Sequence, residues 1–175
     1  MSLFFQYPLK NPTAAGSAGN NWSFEQGMTG WVADSTNWYV AFNPPGPFSA
    51  TPYHGNAVAG FDAYATRIAT GTLYNTDTFA VSVGQSKTAT CQVNPNDRQG
   101  FGQGRMGVQW LDAADAIVST SWGNWITIPT GGWTTSTVTA ACPAGASKVR
   151  ICIGANNTDT QNYGGRVVFD WCTLV

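Results

Sequence analysis

Alternation of apolar and polar positions organises the chain from about residue 57 onward. Val81 and Val83 alternate with Ser82; after Gly84-Gln85, Thr88, Thr90 and Gln92 alternate with Ala89, Cys91 and Val93. A period of two predicts strand, turn, strand over "FAVSVGQSKTATCQV". In "GRMGVQWLDAADAIVSTSW", Met106, Val108 and Trp110 share one face, and residues 112–115 (Asp-Ala-Ala-Asp) turn the chain into a further strand. In "WTTSTVTAACPAGASKVRICIGA", Val138 and Ala140 alternate with Thr137 and Thr139. Pro143 to Ala146 then turn, and Val149, Ile151 and Ile153 alternate with Arg150 and Cys152, which predicts another hairpin. The ending "GGRVVFDWCTLV" is β-branched and aromatic, with Val168, Asp170, Cys172 and Leu174 expected on one face. Neither an amphipathic helix nor an internal repeat is readable. Short strands at this spacing predict an all-β protein, a jelly-roll β-sandwich.

The first 21 residues differ. Phe4, Phe5, Tyr7 and Leu9 lie in an extended segment bounded by prolines, followed by the small, flexible run "TAAGSAGNN". The expected division is an extended N-terminal arm and linker over 1–21 and a sandwich over 22–175. The arm reads either as a terminus or edge strand, or as an assembly element. In the second case Phe4, Phe5 and Tyr7 dock on a neighbouring protein or on another copy of the chain.

Composition narrows the function classes. A chain of 175 residues can bury a core without staples. Twenty Gly and nine Pro suit a turn-rich β protein, and solubility rests on Thr, Ser, Asn, Gln and Gly because only 10% of residues are charged. A net charge of -1 gives no footprint for nucleic acid or an anionic membrane, and no apolar run approaches the ~20 residues that span a bilayer. The N-terminus shows no basic region followed by a small-residue cleavage site, so no signal peptide is expected. Cys91, Cys142, Cys152 and Cys172 form no C-x-x-C pair, and free, buried thiols are expected in place of disulfides or zinc.

Catalytic chemistry finds little support. Gly102-Gln103-Gly104-Arg105-Met106-Gly107 satisfies G-x-G-x-x-G, but a strand-rich continuation and the missing acid some 20 residues on argue for turn glycines. The one histidine, His54, lies in a turn-rich loop and reads as a surface residue, and no G-x-S-x-G elbow occurs. Most acids sit in turns, where Asp caps the backbone. Glu25, after Phe24, and Asp170, inside an apolar strand, stand apart. A buried carboxylate is costly unless paired or bound to a metal. If the first and last strands are neighbours, the two acids meet and favour a hard cation such as Ca2+. Otherwise each lies at an edge or accepts backbone N–H bonds.

The segments "NWSFEQGMTGW" and "VVFDWCTLV", with the middle strands in the same order, resemble the galactose-binding-like jelly rolls, a superfamily that includes several carbohydrate-binding module families. The likeness covers roughly residues 20–175. It implies a structural Ca2+ held by Glu25 and Asp170, with Ser23 placed to supply a further oxygen; Trp171 stands where the family often has a second Asp. It also implies sugar binding by exposed aromatics, with amides and carboxylates fixing hydroxyls. Trp22, Trp31, Trp110 and Trp171 are expected in the core. Trp122 and Trp125, which flank a Gly-Asn turn, and Tyr163 beside Gln161 and Asn162 are the expected ligand-binding residues. Low charge, enrichment in Thr, Ser, Ala and Gly, and the phrase "VQWLDAADAIVSTS" resemble phage appendage proteins. The resulting expectation is a non-enzymatic bacteriophage virion protein, a capsid decoration or tail component assembled in the bacterial cytoplasm, that attaches to host glycans. The alternative is a free-standing, extracellular carbohydrate-binding module.

Overall fold

A computed structural model describes residues 21–42, 51–62, 69–95, 102–127, 132–157 and 166–175. The proposed arm residues Phe4, Phe5 and Tyr7 and the loop residues Gln161, Asn162 and Tyr163 lie outside the described residues. Among the described residues eleven strands form: β1 (Trp31–Ala33), β2 (Trp38–Phe42), β3 (Ala57–Asp62), β4 (Ala69–Asn75), β5 (Phe79–Ala80), β6 (Ser86–Asn94), β7 (Gly102–Leu111), β8 (Ile117–Trp122), β9 (Thr134–Ala141), β10 (Lys148–Asn157) and β11 (Arg166–Leu174). Among the described residues there is no helix. One sheet runs β1-β4-β10-β7-β8, with β5 also paired to β10; the other runs β2-β3-β11-β6-β9. All pairings are antiparallel, and the two sheets form the jelly-roll sandwich that the alternation predicts.

Met106, Val108 and Trp110 of β7, Val149, Ile151 and Ile153 of β10, Ala89, Cys91 and Val93 of β6, and Phe61 and Phe169 meet in the interior. Trp110 is fully buried and satisfies its indole N–H on Ser121 Oγ at 3.0 Å. All four cysteines are free and buried, as expected.

The predicted β7–β8 hairpin forms, with Asp112 Oδ1 accepting from Ala114 and Ala116 N–H in its turn. Two other expected hairpins do not. β5 pairs with β10, so the turn at Gly84-Gln85 carries the chain from one sheet to the other. β9 pairs with β6 while β10 pairs with β7, so the Pro143–Ala146 turn also changes sheets. Alternation reports which face of a strand is buried and is silent about its partner. The glycines of Gly102–Gly107 lie within β7 and not in a turn. A Cβ at Gly104 would sit 2.6 Å from Val93 Cγ1 and 2.8 Å from Phe169 Cζ, so glycine is required there by close approach of the two sheets.

In β11 the expected face is broken. Val167, Phe169, Cys172 and Leu174 face the core, while Val168 and Asp170 lie on the other side. The register with β6 shifts between Asp170 and Thr173. Trp171 takes a left-handed φ of 50°, and the inserted residue resets the alternation.

Candidate functional site

Residues 21–30 wind into successive turns around one side chain. Asn21 Nδ2 donates to the Gly27 and Thr29 carbonyls at 2.8 and 2.9 Å, and its Oδ1 accepts from Gln26 N–H at 2.8 Å. Its backbone carbonyl accepts the Trp31 indole N–H at 3.0 Å. Phe24 and Trp31 are thereby held as core anchors. Glu25 comes out half-buried, with Oε1 accepting from Asn56 and Ala57 N–H, both at 2.9 Å.

The strap at 53–57 reaches Asp170 as well. His54 N–H donates to Asp170 Oδ2 and Trp171 N–H to Oδ1, each at 2.7 Å. Gly55, at φ 65°, lies directly against the Glu25 carboxylate, where a Cβ would collide with it. The first and last strands belong to opposite sheets, so the two acids do not meet by strand pairing. They approach because the turn before β1 and the bulge in β11 face the same strap, and Cys172 N–H donates to Trp22 O at 3.0 Å across that junction. Asp170 is fully buried. Its carboxyl is raised to about 7, chiefly by burial and to a lesser degree by the Glu25 charge, against the lowering pull of the His54 and Trp171 N–H groups. Two carboxylates with no ion-pair partner among the described residues suit a hard metal ion. No cluster of three or more His, Cys, Asp or Glu is gathered among the described residues, so carbonyl and hydroxyl oxygens would have to complete such a site. Ser23 is buried in the same turn.

Trp22 and Trp171 are not in the core, contrary to expectation. Both are half-buried and enclose His54, with ring centroids 5.4 and 4.2 Å from the imidazole, and they meet each other edge-on at 3.9 Å. The bulge at Trp171 turns its side chain out of the strand's alternation. Tyr53 lies against Trp171 and Trp133, and the Trp133 indole donates to Thr51 O at 2.9 Å. This cluster packs its own rings together and pins the strap over Val58 and Val168.

Trp122 and Trp125 stand elsewhere, on the outer face of the β1-β4-β10-β7-β8 sheet. One row across four strands reads Tyr74, Cys152, Gly107, Trp122. The next row along the strands, on one side, holds Arg150 and Gln109; on the other, Thr72, Gly154 and Arg105, then Asn156 and Gln103. Strand spacing puts Tyr74 and Trp122 roughly 14 Å apart. The floor between them is small: Trp122 packs over Gly107 and Cys152, and a Cβ at Gly154 would lie 2.9 Å from its Cζ3.

The Arg105 guanidinium lies over both indoles, 4.3 Å from the Trp122 ring and 3.9 Å from the Trp125 ring. Arg150 lies 3.7 Å over Tyr74 and donates from Nε to Gln109 Oε1 at 2.7 Å. Asn156 Nδ2 donates to Gln103 Oε1 at 3.2 Å. Burial lowers the Arg105 guanidinium from its ordinary value, with Cys152 opposing. The Cys152 thiol beneath is pushed far up by burial and stays neutral. The face thus combines three rings, two guanidiniums and three amides over a floor of small residues.

The sequence reading placed two of these residues, Trp122 and Trp125, and missed Arg105, Arg150, Tyr74, Gln103, Gln109 and Asn156. A signal existed. Gln103, Arg105 and Gln109 alternate with the core residues Met106, Val108 and Trp110 across two phases of β7, in a chain with few charges.

No protein-family model matches the chain, and no curated protein matches it. Solved structures do. The module TmCBM61, in complex with β-1,4-galactotriose, is similar with a TM-score of 0.60 at 13% identity, covering 91% of this chain and 99% of that one. The C-terminal family 22 carbohydrate-binding module of Clostridium thermocellum Xyn10B has a TM-score of 0.56 at 12% identity, covering 87% and 89%. The enzymatically active domain of bacteriophage CBA120 tailspike protein 4 has a TM-score of 0.61 at 12% identity; 91% of this chain matches 21% of that one. At these identities the likeness establishes the fold: a jelly-roll sandwich shared with carbohydrate-binding modules.

Proposed function

We propose that the protein is a non-enzymatic glycan-binding module whose ligand lies across the outer face of the β1-β4-β10-β7-β8 sheet. The observation that carries this reading is the Tyr74, Trp122 and Trp125 rings around the floor of Gly107, Cys152 and Gly154, with Gln103, Gln109 and Asn156 alongside. Pyranose C–H groups pack against the ring surface that Arg105 and Arg150 leave uncovered, and the amides sort hydroxyls by donor and acceptor. The fold supports the reading, since the similar structures include modules, one of them solved with a galactotriose. Gln161, Asn162 and Tyr163, outside the described residues, remain candidate contacts on their sequence alone.

A structural Ca2+ is part of the proposal. Glu25 and Asp170 would hold it, with an oxygen from Ser23 or its neighbours, and it would neutralise the charge that the strap now covers. A second reading places the module in a phage virion as a host-attachment part, with Phe4, Phe5 and Tyr7 joining it to other virion proteins. The tailspike likeness favours this reading, and it keeps the same glycan-binding face.

Affinity electrophoresis through gels cast with plant, algal and bacterial polysaccharides tests the binding proposal. Retardation by at least one polysaccharide is expected, and Trp122→Ala should abolish it at an unchanged fold. Retardation identical in wild type and Trp122→Ala would refute this placement of the site.

A further inference from the structure

Charge on the sheet face points to a particular ligand class. Arg105 and Arg150 both emerge on the outer side of the sheet, and neither has a carboxylate partner among the described residues. The ion pairs that do form use Lys148 with Asp115 and Arg166 with Asp62. Asp34, at the β1 edge, already accepts from Thr72 N–H at 2.7 Å. The chain carries a net -1, yet this face presents two cations without a carboxylate among the described residues.

These are not loose surface arginines. Arg105 is held over two indoles, and its buried Nε has no hydrogen-bond partner. Arg150 is held over Tyr74 and oriented by Gln109. Stacking fixes the plane of a guanidinium and leaves its N–H edge as a preformed fork, the geometry that a carboxylate fits bidentately. Arg105 stands opposite Gly154 on β10, and Arg150 stands opposite Gln109 on β7, four residues along the strand. The rings that hold the two guanidiniums, Tyr74 and Trp122, stand in one row across the strands roughly 14 Å apart, too far for one small anion to bridge and suited to charges repeating along an extended chain. Between the guanidiniums the Trp122 indole covers the small residues Gly107 and Gly154, which with Cys152 are buried beneath it.

We propose that this face selects an anionic, uronate-bearing glycan, the Arg105 and Arg150 guanidiniums each taking a carboxylate. The proposal rests on the glycan-binding reading of the same face and specifies its ligand class. The rings supply sugar stacking, and the arginines supply selection between charged and neutral chains.

Calorimetric titration of the whole chain with matched pairs tests it. The probes are trigalacturonate and galactotriose, trimannuronate and mannotriose, and a sulfated carrageenan oligosaccharide. At least one uronate should bind about tenfold or more tightly than its neutral counterpart, with the gap shrinking between about 50 and about 500 mM NaCl. Arg150→Gln should remove most of the gap while retaining the wild-type melting temperature, and Arg150→Lys should restore it only in part. Arg105→Gln should do the same as Arg150→Gln; Arg150→Gln decides the matter if the Arg105 variant fails to fold. Equal binding of the uronate and neutral members, or neutral binding alone, overturns the anionic selection and leaves the glycan-binding face standing. Preference for the sulfated probe overturns the carboxylate assignment. Failure of every probe overturns both readings.

Discussion

Asp170 links pH, cation and fold in a way that can be measured. Burial, more than any other cause, raises its carboxyl from 3.8 to about 7. The folded protein therefore keeps a proton that the unfolded chain has already released between about pH 4 and pH 7. Where the unfolded state binds fewer protons, stability falls as pH rises. The Asp170 contribution is thus fully present below about pH 4, is lost through the window up to about pH 7, and changes no further above it. About three pH units separate the two values, which corresponds to roughly 4 kcal/mol. The assay is urea unfolding followed by tryptophan fluorescence, in chelator, at about pH 4.5, 6 and 8. Asp170→Asn serves as the reference, since it keeps an acceptor for one N–H and cannot titrate. Relative to that variant, wild type should lose roughly 2–4 kcal/mol between the lowest and highest pH. Millimolar Ca2+ should displace the proton and restore stability at pH 8. A wild-type curve parallel to that of Asp170→Asn in chelator would refute the reasoning about the buried carboxyl. Identical unfolding with and without Ca2+ at pH 8 would remove the proposed metal.

Further outcomes follow from single contacts. Asn21→Ala strips two carbonyls of their donor and Gln26 N–H of its acceptor, and should cost roughly 2–4 kcal/mol in urea unfolding. Gly104→Val drives a side chain into Val93 and Phe169 between the sheets, and should lower stability by about 3 kcal/mol or prevent folding; an unchanged melt would contradict the described packing. Gly107→Ala lifts Trp122 from its floor, so polysaccharide retention should drop far more than the melting temperature.

The fold class was legible because strand alternation is readable in β6, β7, β9 and β10; β6 and β9 bury one face, whereas β7 over 106–111 and β10 over 151–155 are buried on both. Sheet partners were not. The turn at Pro143–Ala146 has the composition of a hairpin, and only long-range pairing decides that β9 and β10 part company. The bulge at Trp171 inverted the expected face of β11 because one left-handed residue shifts every later side chain. Glu25 and Asp170 stood out as costly carboxylates, but the strap that joins them is built from backbone N–H groups of residues 54, 56 and 57, which carry no sequence signal. The sheet face was half legible. Trp122 and Trp125 drew attention as aromatics beside a turn, whereas Arg105 and Arg150 needed the register of β7 against β10 to appear on one surface.

The most direct test of the central claim is a two-dimensional 1H–15N spectrum recorded during titration with the best-retained oligosaccharide. The Trp122 and Trp125 indole N–H signals and the Arg105 and Arg150 side-chain Nε–H signals should move together, while those of the buried Trp31 and Trp110 indoles stay in place. Shifts confined to Trp22, Trp133 and Trp171, on the strap side of the sandwich, would contradict the account.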